Sequence, residues 1–153
     1  MTNKPTSRNS PNKRRIAIGI LAALGSIDSL YLTWAKISGT YAACAGVGDC
    51  ESVNSSIYSV IAGVPVAALG LATYALIAVL VSLEARRPDL KEKLQMAVFG
   101  LALAGLIFSG WLTYVEIEIL EKICPYCVFS AVIISSIFAL SVIGLVQEFA
   151  RTD

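Results

Sequence analysis

The chain of 153 residues contains no histidine and few charged residues. Histidine is the most frequent general base near neutral pH and the most frequent metal ligand, so its absence removes the commonest candidate for each role. Charged residues make up 15% of the chain, whereas a soluble domain carries about 25%. The net charge of +1 provides no basic face for nucleic acid. These absences exclude a nucleic-acid-binding protein and are untypical of a soluble domain.

The hydrophobic residues, which make up 56% of the chain, are concentrated in four long runs. A transmembrane helix needs about 20 predominantly apolar residues to cross a bilayer, and each run is long enough. The sequence therefore predicts an all-α integral membrane protein, a bundle of four transmembrane helices. The predicted helices cover about residues 16–37, 60–83, 94–120 and 126–146.

The basic residues orient this bundle. If residues 1–15 and 149–153 are cytoplasmic tails of a membrane domain at 16–148, ten of the twelve Lys and Arg residues lie on the cytoplasmic side. Only Lys36 and Lys122 lie outside, as the positive-inside rule requires. All four cysteines then face the outer side of a bacterial inner membrane, where disulfides persist. The alternative, a cleaved signal peptide, is opposed by the length of the first run, because signal h-regions have about 7–15 residues.

The four cysteines form two pairs, Cys44-x5-Cys50 in the first outer loop and Cys124-x2-Cys127 at the start of the last run. A structural zinc site with four thiolate ligands is one interpretation, although zinc loops usually have a tighter first pair. Two structural disulfides are a second, although so short a loop as Cys-x-x-Cys removes little entropy from the unfolded chain. The third is a redox relay, which the placement of the pairs favours.

The last pair reads "CPYC" and lies where a membrane helix begins. Pro125 suits the first position of a helix, so Cys127 lies near the third, where N–H groups and the helix dipole stabilise a thiolate. A lipid-soluble oxidant reaches that depth more easily than a soluble protein does. In the first pair, Gly46 and Gly48 predict a flexible loop able to exchange thiols with a soluble partner through mixed disulfides.

After Cys50, the apolar residues Val53, Ile57, Val60 and Ile61 recur at helical spacing. This pattern predicts a short amphipathic helix between the first two transmembrane helices. We expect this helix to cover a quinone-sized pocket. The alternative is that the segment forms the interfacial start of the second transmembrane helix.

Three acidic residues in the apolar runs are notable. Asp28 lies deep in the first predicted helix, where acids are functional hypotheses by default. With no basic residue of another span to pair with it, we expect it to be protonated or hydrogen-bonded to a hydroxyl, with a proton relay as its possible function. Glu116 and Glu118 are predicted to be solvated groups at the membrane interface.

The order of these motifs resembles the bacterial homologues of vitamin K epoxide reductase. The resemblance rests on Cys44-x5-Cys50, then "SSIYSVIAGVPVAALG" at 55–70, then "CPYC" at 124–127, and it covers nearly all of residues 16–148. Proteins of that family are four-helix membrane oxidoreductases that pass electrons from thioredoxin-like proteins to a quinone. The resemblance thus implies a quinone cofactor of the ubiquinone, menaquinone, plastoquinone or phylloquinone type, and a thioredoxin-like partner.

The resemblance also implies a role for each cysteine. Cys44 exchanges with the thioredoxin-like partner, and Cys50 carries the electrons to Cys124. Cys127 lies beside the quinone.

Three further positions depend on the same resemblance. Ser56, or its neighbour Ser55, supplies a hydroxyl that assists at the quinone, and Tyr126 contributes to the cofactor site. By the same resemblance, the warfarin-sensitive vertebrate enzymes carry a tyrosine one turn past the Cys-x-x-Cys pair. This chain has Ala131 at that position. We therefore expect quinone reduction rather than epoxide reduction. Many bacterial members continue into a fused thioredoxin-like domain, whereas this sequence stops at Asp153.

Two alternatives stay open. Another family of membrane disulfide oxidases also has four helices and two cysteine pairs, but its Cys-x-x-Cys pair comes first in the chain. A different class of function is a non-enzymatic membrane protein, a transporter or an assembly subunit, with structural disulfides on its outer face.

Overall fold

The computed structural model describes residues 10–40 and 48–152. Within these ranges, four helices are long and apolar enough to cross a membrane. The predicted all-α bundle of four membrane helices is confirmed. The helices are α1 (Ser10–Ser38), α2 (Cys50–Ser55), α3 (Val66–Arg86), α4 (Lys91–Tyr114) and α5 (Pro125–Thr152), with 3-10 turns at Ile57–Ser59 and Pro88–Leu90 and a π-helical turn at Val115–Ile119.

The four long helices form a closed ring. α1 contacts α3 and α5, and α4 contacts the same two helices. Side chains from all four fill the half of the bundle near the N-terminus of α1. This buried cluster consists of Ile18, Ala22, Tyr74, Ile77, Val81, Val98, Ala102, Ile133, Ile134 and Ile137.

A second, smaller cluster lies at the opposite end of the bundle. It joins α1 to both cysteine-bearing segments and consists of Leu32, Ala35, Cys50 and Cys124. Many large apolar side chains on the outside of the helices are exposed, among them Ile27 and Ile107 at 66% each. A lipid-facing surface has this character, because lipid tails solvate apolar side chains.

The connection between α1 and α3 differs from the predicted single helix. α2 ends at Ser55 because Ser56 has an extended conformation, with φ −62° and ψ 158°. Ile57 is consequently 82% exposed, so the predicted apolar stripe is divided between elements.

The segment before α3 is a small hairpin rather than the first turns of the helix. Strand β1 (Val60–Ile61) pairs antiparallel with β2 (Val64–Pro65). Ala62 and Gly63 between them have positive φ angles of 52° and 83°. A right-handed helix cannot include two such residues, so α3 begins at Val66 instead of near residue 60.

Candidate active site

A cavity of about 380 Å³ opens between the four long helices, beside the second cluster. Small-molecule sites typically have about 300–1,000 Å³. Most of its wall is apolar, including Leu32, Leu69, Leu101, Phe108, Leu112 and Ile134. Both cysteines of "CPYC" and a few polar side chains also line it, among them Asp28, Ser56 and Glu116.

The local fold at "CPYC" presents both thiols to this cavity. Pro125 is the first residue of α5, as its missing N–H predicted. Cys124 precedes the helix, and its carbonyl accepts the N–H of Val128 at 3.1 Å. Cys124 and Cys127 are both free thiols, and Cys124 is only 2% exposed.

The donors at the start of α5 converge on Cys124. Its sulfur accepts a hydrogen bond from the Cys127 thiol and further bonds from the backbone N–H groups of Cys127 and Tyr126. The Cys127 thiol is the main cause of a lowered pKa of Cys124, although burial and the negative charge of Glu116 oppose it. The sequence led us to expect thiolate stabilisation at Cys127. The structure directs the donors to Cys124 because the residue preceding a helix is the one that caps its free N–H groups.

Glu116 is the functional candidate that our sequence reasoning missed. It was predicted to be solvated at the interface, but it is only 5% exposed. Its Oε2 accepts the backbone N–H of Cys124 at 3.2 Å, and its carboxyl group also shares a hydrogen bond with the Cys127 thiol. Glu118, by contrast, is exposed as predicted.

Glu116 lies on the π-helical turn Val115–Ile119 and continues the inward face of α4. It follows the cavity-lining residues Ser109 and Leu112 at ordinary helical spacing. π-helical turns are rare, and those that occur are often found at functional sites. The helical period of the third membrane helix was therefore the signal in the sequence that could have distinguished Glu116 from Glu118.

The first cysteine pair is described only in part. Cys44 lies outside the described residues. Cys50 is engaged in a disulfide bond, is 1% exposed and packs in the same apolar cluster as Cys124. The structure therefore brings an oxidised cysteine of the first pair and a reduced cysteine of the second pair into one buried cluster.

Asp49 attaches the segment of Cys50 to the segment that precedes Cys124. Its N–H donates to the Ile123 carbonyl at 3.1 Å, and its Oδ2 pairs with Lys122 Nζ at 3.0 Å. Its Oδ1 caps α2 by accepting the N–H of Ser52 at 3.2 Å. The hydrogen bonds from Ser52 and Lys122 lower the pKa of Asp49.

Gly48 makes this close attachment possible. A Cβ atom at this position would lie 2.5 Å from the Ile123 carbonyl oxygen, and the φ angle of +82° also favours glycine. The sequence suggested that Gly48 gives the loop flexibility, whereas the structure shows it at a close contact between the two cysteine-bearing segments.

The remaining predicted site residues separate into two groups. Ser56 lines the cavity and donates to the Val53 carbonyl at 2.8 Å. Ser55 is exposed and bonds to the Glu51 carbonyl instead. Tyr126 is not one of the cavity-lining residues, and its ring packs against Tyr31 with 5.3 Å between centroids.

Asp28 lines the cavity at a level below the cysteines. It is 7% exposed, and its buried Oδ2 has no hydrogen-bond partner. The nearby Tyr74 hydroxyl is instead bonded to Ser130, at 2.9 Å to the carbonyl and 2.8 Å to the side chain. Buried polar atoms are nearly always satisfied, so the orphan oxygen points to a partner that enters the cavity.

Comparison with known proteins shows the family of this chain. The model of the vitamin K epoxide reductase family matches residues 16–142. The thiol-disulfide oxidoreductase LTO1 of Arabidopsis thaliana is 33% identical over 123 residues, which are 76% of this chain and 32% of the relative. The chain thus spans about a third of the length of that relative. The chain belongs to the vitamin K epoxide reductase family.

Proposed function

We propose that the protein is a membrane disulfide oxidoreductase that oxidises the dithiols of a thioredoxin-like partner and reduces a quinone. The observation that carries this proposal is the pair of free thiols, Cys124 and Cys127, on the wall of a cavity within a membrane bundle. Cys50, in a disulfide, lies in the same cluster as Cys124. An oxidised Cys50 next to a reduced inner pair is an arrangement that a relay needs.

The proposed electron path runs through two thiol–disulfide exchanges. The partner dithiol first reduces the Cys44–Cys50 pair. The Cys50 thiolate then attacks Cys124 in an inner disulfide, and Cys127 leaves as a thiolate. Cys44 next attacks Cys50, so that Cys124 leaves and the outer disulfide forms again. The inner pair has then gained two electrons and, with protonation, two protons.

The environment of Cys124 supports its place in this order. A thiol leaves a mixed disulfide faster when its pKa is lower, and the hydrogen bond from Cys127 lowers the pKa of Cys124. Release of Cys124 is thereby favoured over reversal. A free Cys124/Cys127 pair beside an oxidised Cys50 corresponds to the state after this transfer.

A quinone head group fits the cavity by size and by chemistry. The volume of about 380 Å³, the apolar walls and the unsatisfied Asp28 oxygen suit a flat apolar ring with polar oxygens. Cys127 and Ser56 are the lining residues that we assign to the ring. When bound, a quinone accepts two electrons and two protons. Ser56, rather than Ser55, is assigned because only its side chain lies at the wall.

The proposed location follows from charge. With the N-terminus of α1 in the cytoplasm, the basic residues follow the positive-inside rule, and both cysteine-bearing segments face the opposite, outer side. A thioredoxin-like partner would then meet the outer loop from the water, while the quinone enters from the bilayer.

The test is quinone reduction by purified protein in lipid nanodiscs, with reduced thioredoxin as donor and a short-chain ubiquinone or menaquinone as acceptor. We expect Cys127→Ala to lower the rate at least about 100-fold, because the covalent path is removed. Ser56→Ala should lower the rate, and Ser55→Ala, its exposed neighbour, is the matched control. Full activity of Cys127→Ala would show the proposal to be wrong.

A trapping experiment tests the order of transfer. A Cys44→Ser/Cys127→Ser variant should accumulate a Cys50–Cys124 disulfide, visible in non-reducing electrophoresis and peptide mapping. A non-enzymatic protein with structural disulfides predicts instead that the thiol content stays constant when donor and quinone are added in turn.

A further inference from the structure

We propose that Glu116 is a catalytic residue, the general base and acid that moves protons for the Cys124/Cys127 pair. The inference depends on the proposed inner pair, but it concerns a residue with no assigned role. Glu116 is 5% exposed, lines the cavity and contacts both cysteines. Asp28, the other described buried acid that lines the cavity, has no such contact with the thiols.

The chemistry of the inner pair requires a proton carrier. When the reduced pair is oxidised, two S–H bonds break, one S–S bond forms, and two electrons and two protons pass to a quinone. The thiols lie in a cavity with mainly apolar walls, where an uncompensated charge is costly. A carboxylate that takes the protons of Cys124 and Cys127 in turn as the S–S bond forms, and gives each to an acceptor oxygen of the quinone, closes this balance.

No other described group matches Glu116 in position. Tyr74 is engaged with Ser130, and Lys122 pairs with Asp49 at the outer surface. The titratable groups that face the cavity with Glu116 are Cys124 and Cys127 on the "CPYC" segment, Asp28 on α1, Tyr58 after α2 and Tyr74 on α3. The chain has no histidine that could serve instead.

A purely structural role is the rival explanation, because Glu116 also accepts the Cys124 N–H. Glu116→Gln separates the two roles. Its amide oxygen still accepts that N–H, so the fold and the thermal stability should be retained, but it carries no transferable proton. Glu118→Gln, on the same π-helical turn and exposed, is the matched control.

The measurement is single-turnover oxidation of pre-reduced protein by a short-chain ubiquinone, followed by stopped flow across pH. General acid–base catalysis contributes about 10²–10⁴-fold, so we expect Glu116→Gln to be at least about 100-fold slower than Glu118→Gln. In the wild type and in Glu118→Gln, the rate should fall as the pH drops and Glu116 becomes protonated. Glu116→Gln should lose this acidic limb.

A second variant guards against a folding defect. Glu116→Asp keeps the carboxyl group but places it one methylene further from the thiols. Its rate should lie between those of Glu116→Gln and the wild type, and its pH profile should retain the acidic limb. If Glu116→Gln matches Glu118→Gln in rate and pH profile while Cys127→Ala is inactive, the role of Glu116 is refuted and the relay stands. If Glu116→Asp lacks the limb, the role of Glu116 is likewise refuted. Activity of Cys127→Ala would instead refute the relay itself.

Discussion

The thiol of Cys124 is tuned by one neighbouring side chain. Because the Cys127 thiol is the main cause of the lowered pKa of Cys124, its removal should raise that pKa. We predict a higher pKa for Cys124 in Cys127→Ala than in Cys127→Ser, whose hydroxyl still donates. The thiolate absorbance of each variant, titrated in a Cys44→Ala/Cys50→Ala background, measures this difference directly. Equal values would show that the backbone N–H groups act alone.

At Asp28, we expect a substitution that stabilises the fold to weaken quinone binding. Its buried Oδ2 has no partner, and an unsatisfied buried polar group costs about 1–3 kcal/mol. Asp28→Leu should therefore raise the free energy of unfolding by about that amount, with Asp28→Asn as the polar comparison. If the carboxyl group meets the quinone, the same change raises the KM for quinone. Thermal denaturation without quinone measures this change in stability. If Asp28→Leu is less stable than the wild type, Oδ2 of Asp28 does have a stabilising partner, and the prediction is wrong.

At the scale of elements, the attachment of α2 to the segment before α5 sets the position of Cys50. Asp49→Ala removes both the helix cap and the ion pair with Lys122, so we expect slower formation of the trapped Cys50–Cys124 disulfide. Glu51→Ala on the same helix is the control. Since the pKa of Asp49 is lowered, its contribution is present above the ordinary value of 3.8 and is lost as the pH falls below it. An unchanged rate in Asp49→Ala at neutral pH would show that the backbone bond to Ile123 suffices.

The helices and strands also show how much of the fold can be predicted from the sequence. Four long apolar runs predict four membrane helices because burial in lipid depends only on composition and length. The start of α3 was misplaced because residues 60–65 are as apolar as the helix, and only the turn at Gly63 separates them. The candidate cysteines follow from spacing, whereas the exposure of Ser55 depends on the local backbone conformation at Ser56, which spacing does not encode.

At the scale of the whole molecule, close helix packing supports the floor of the cavity. A Cβ at Gly25 of α1 would lie 2.7 Å from the ring of Tyr74 on α3, and overpacking typically costs about 1–3 kcal/mol. Gly25→Ala should thus be destabilising and should displace Tyr74, which lines the cavity. Gly100→Ala, where nothing lies within 4 Å, should instead stabilise α4 by up to about 1 kcal/mol, because alanine is the better helix former. Thermal unfolding of the two variants in nanodiscs measures the sign of each stability change. Equal Tm shifts in Gly25→Ala and Gly100→Ala would contradict the tight contact at Gly25.

The cavity and the exchange at the outer cysteines are separate steps of the proposed relay, so their roles can be distinguished experimentally. A ligand that binds only the folded protein stabilises it by about 2.7 kcal/mol at 100 times its Kd, so a short-chain quinone should raise the Tm of the wild type. Ala104→Trp places an indole in the cavity wall and should abolish this shift and quinone reduction. Exchange between the outer cysteines and reduced thioredoxin should continue, because Ala104 lies on α4, away from Cys50. Val132→Trp, on the exposed face of α5, should keep both properties. A Tm shift that survives in Ala104→Trp would place the quinone outside this cavity and would leave the inner thiols without the acceptor that we assign to them.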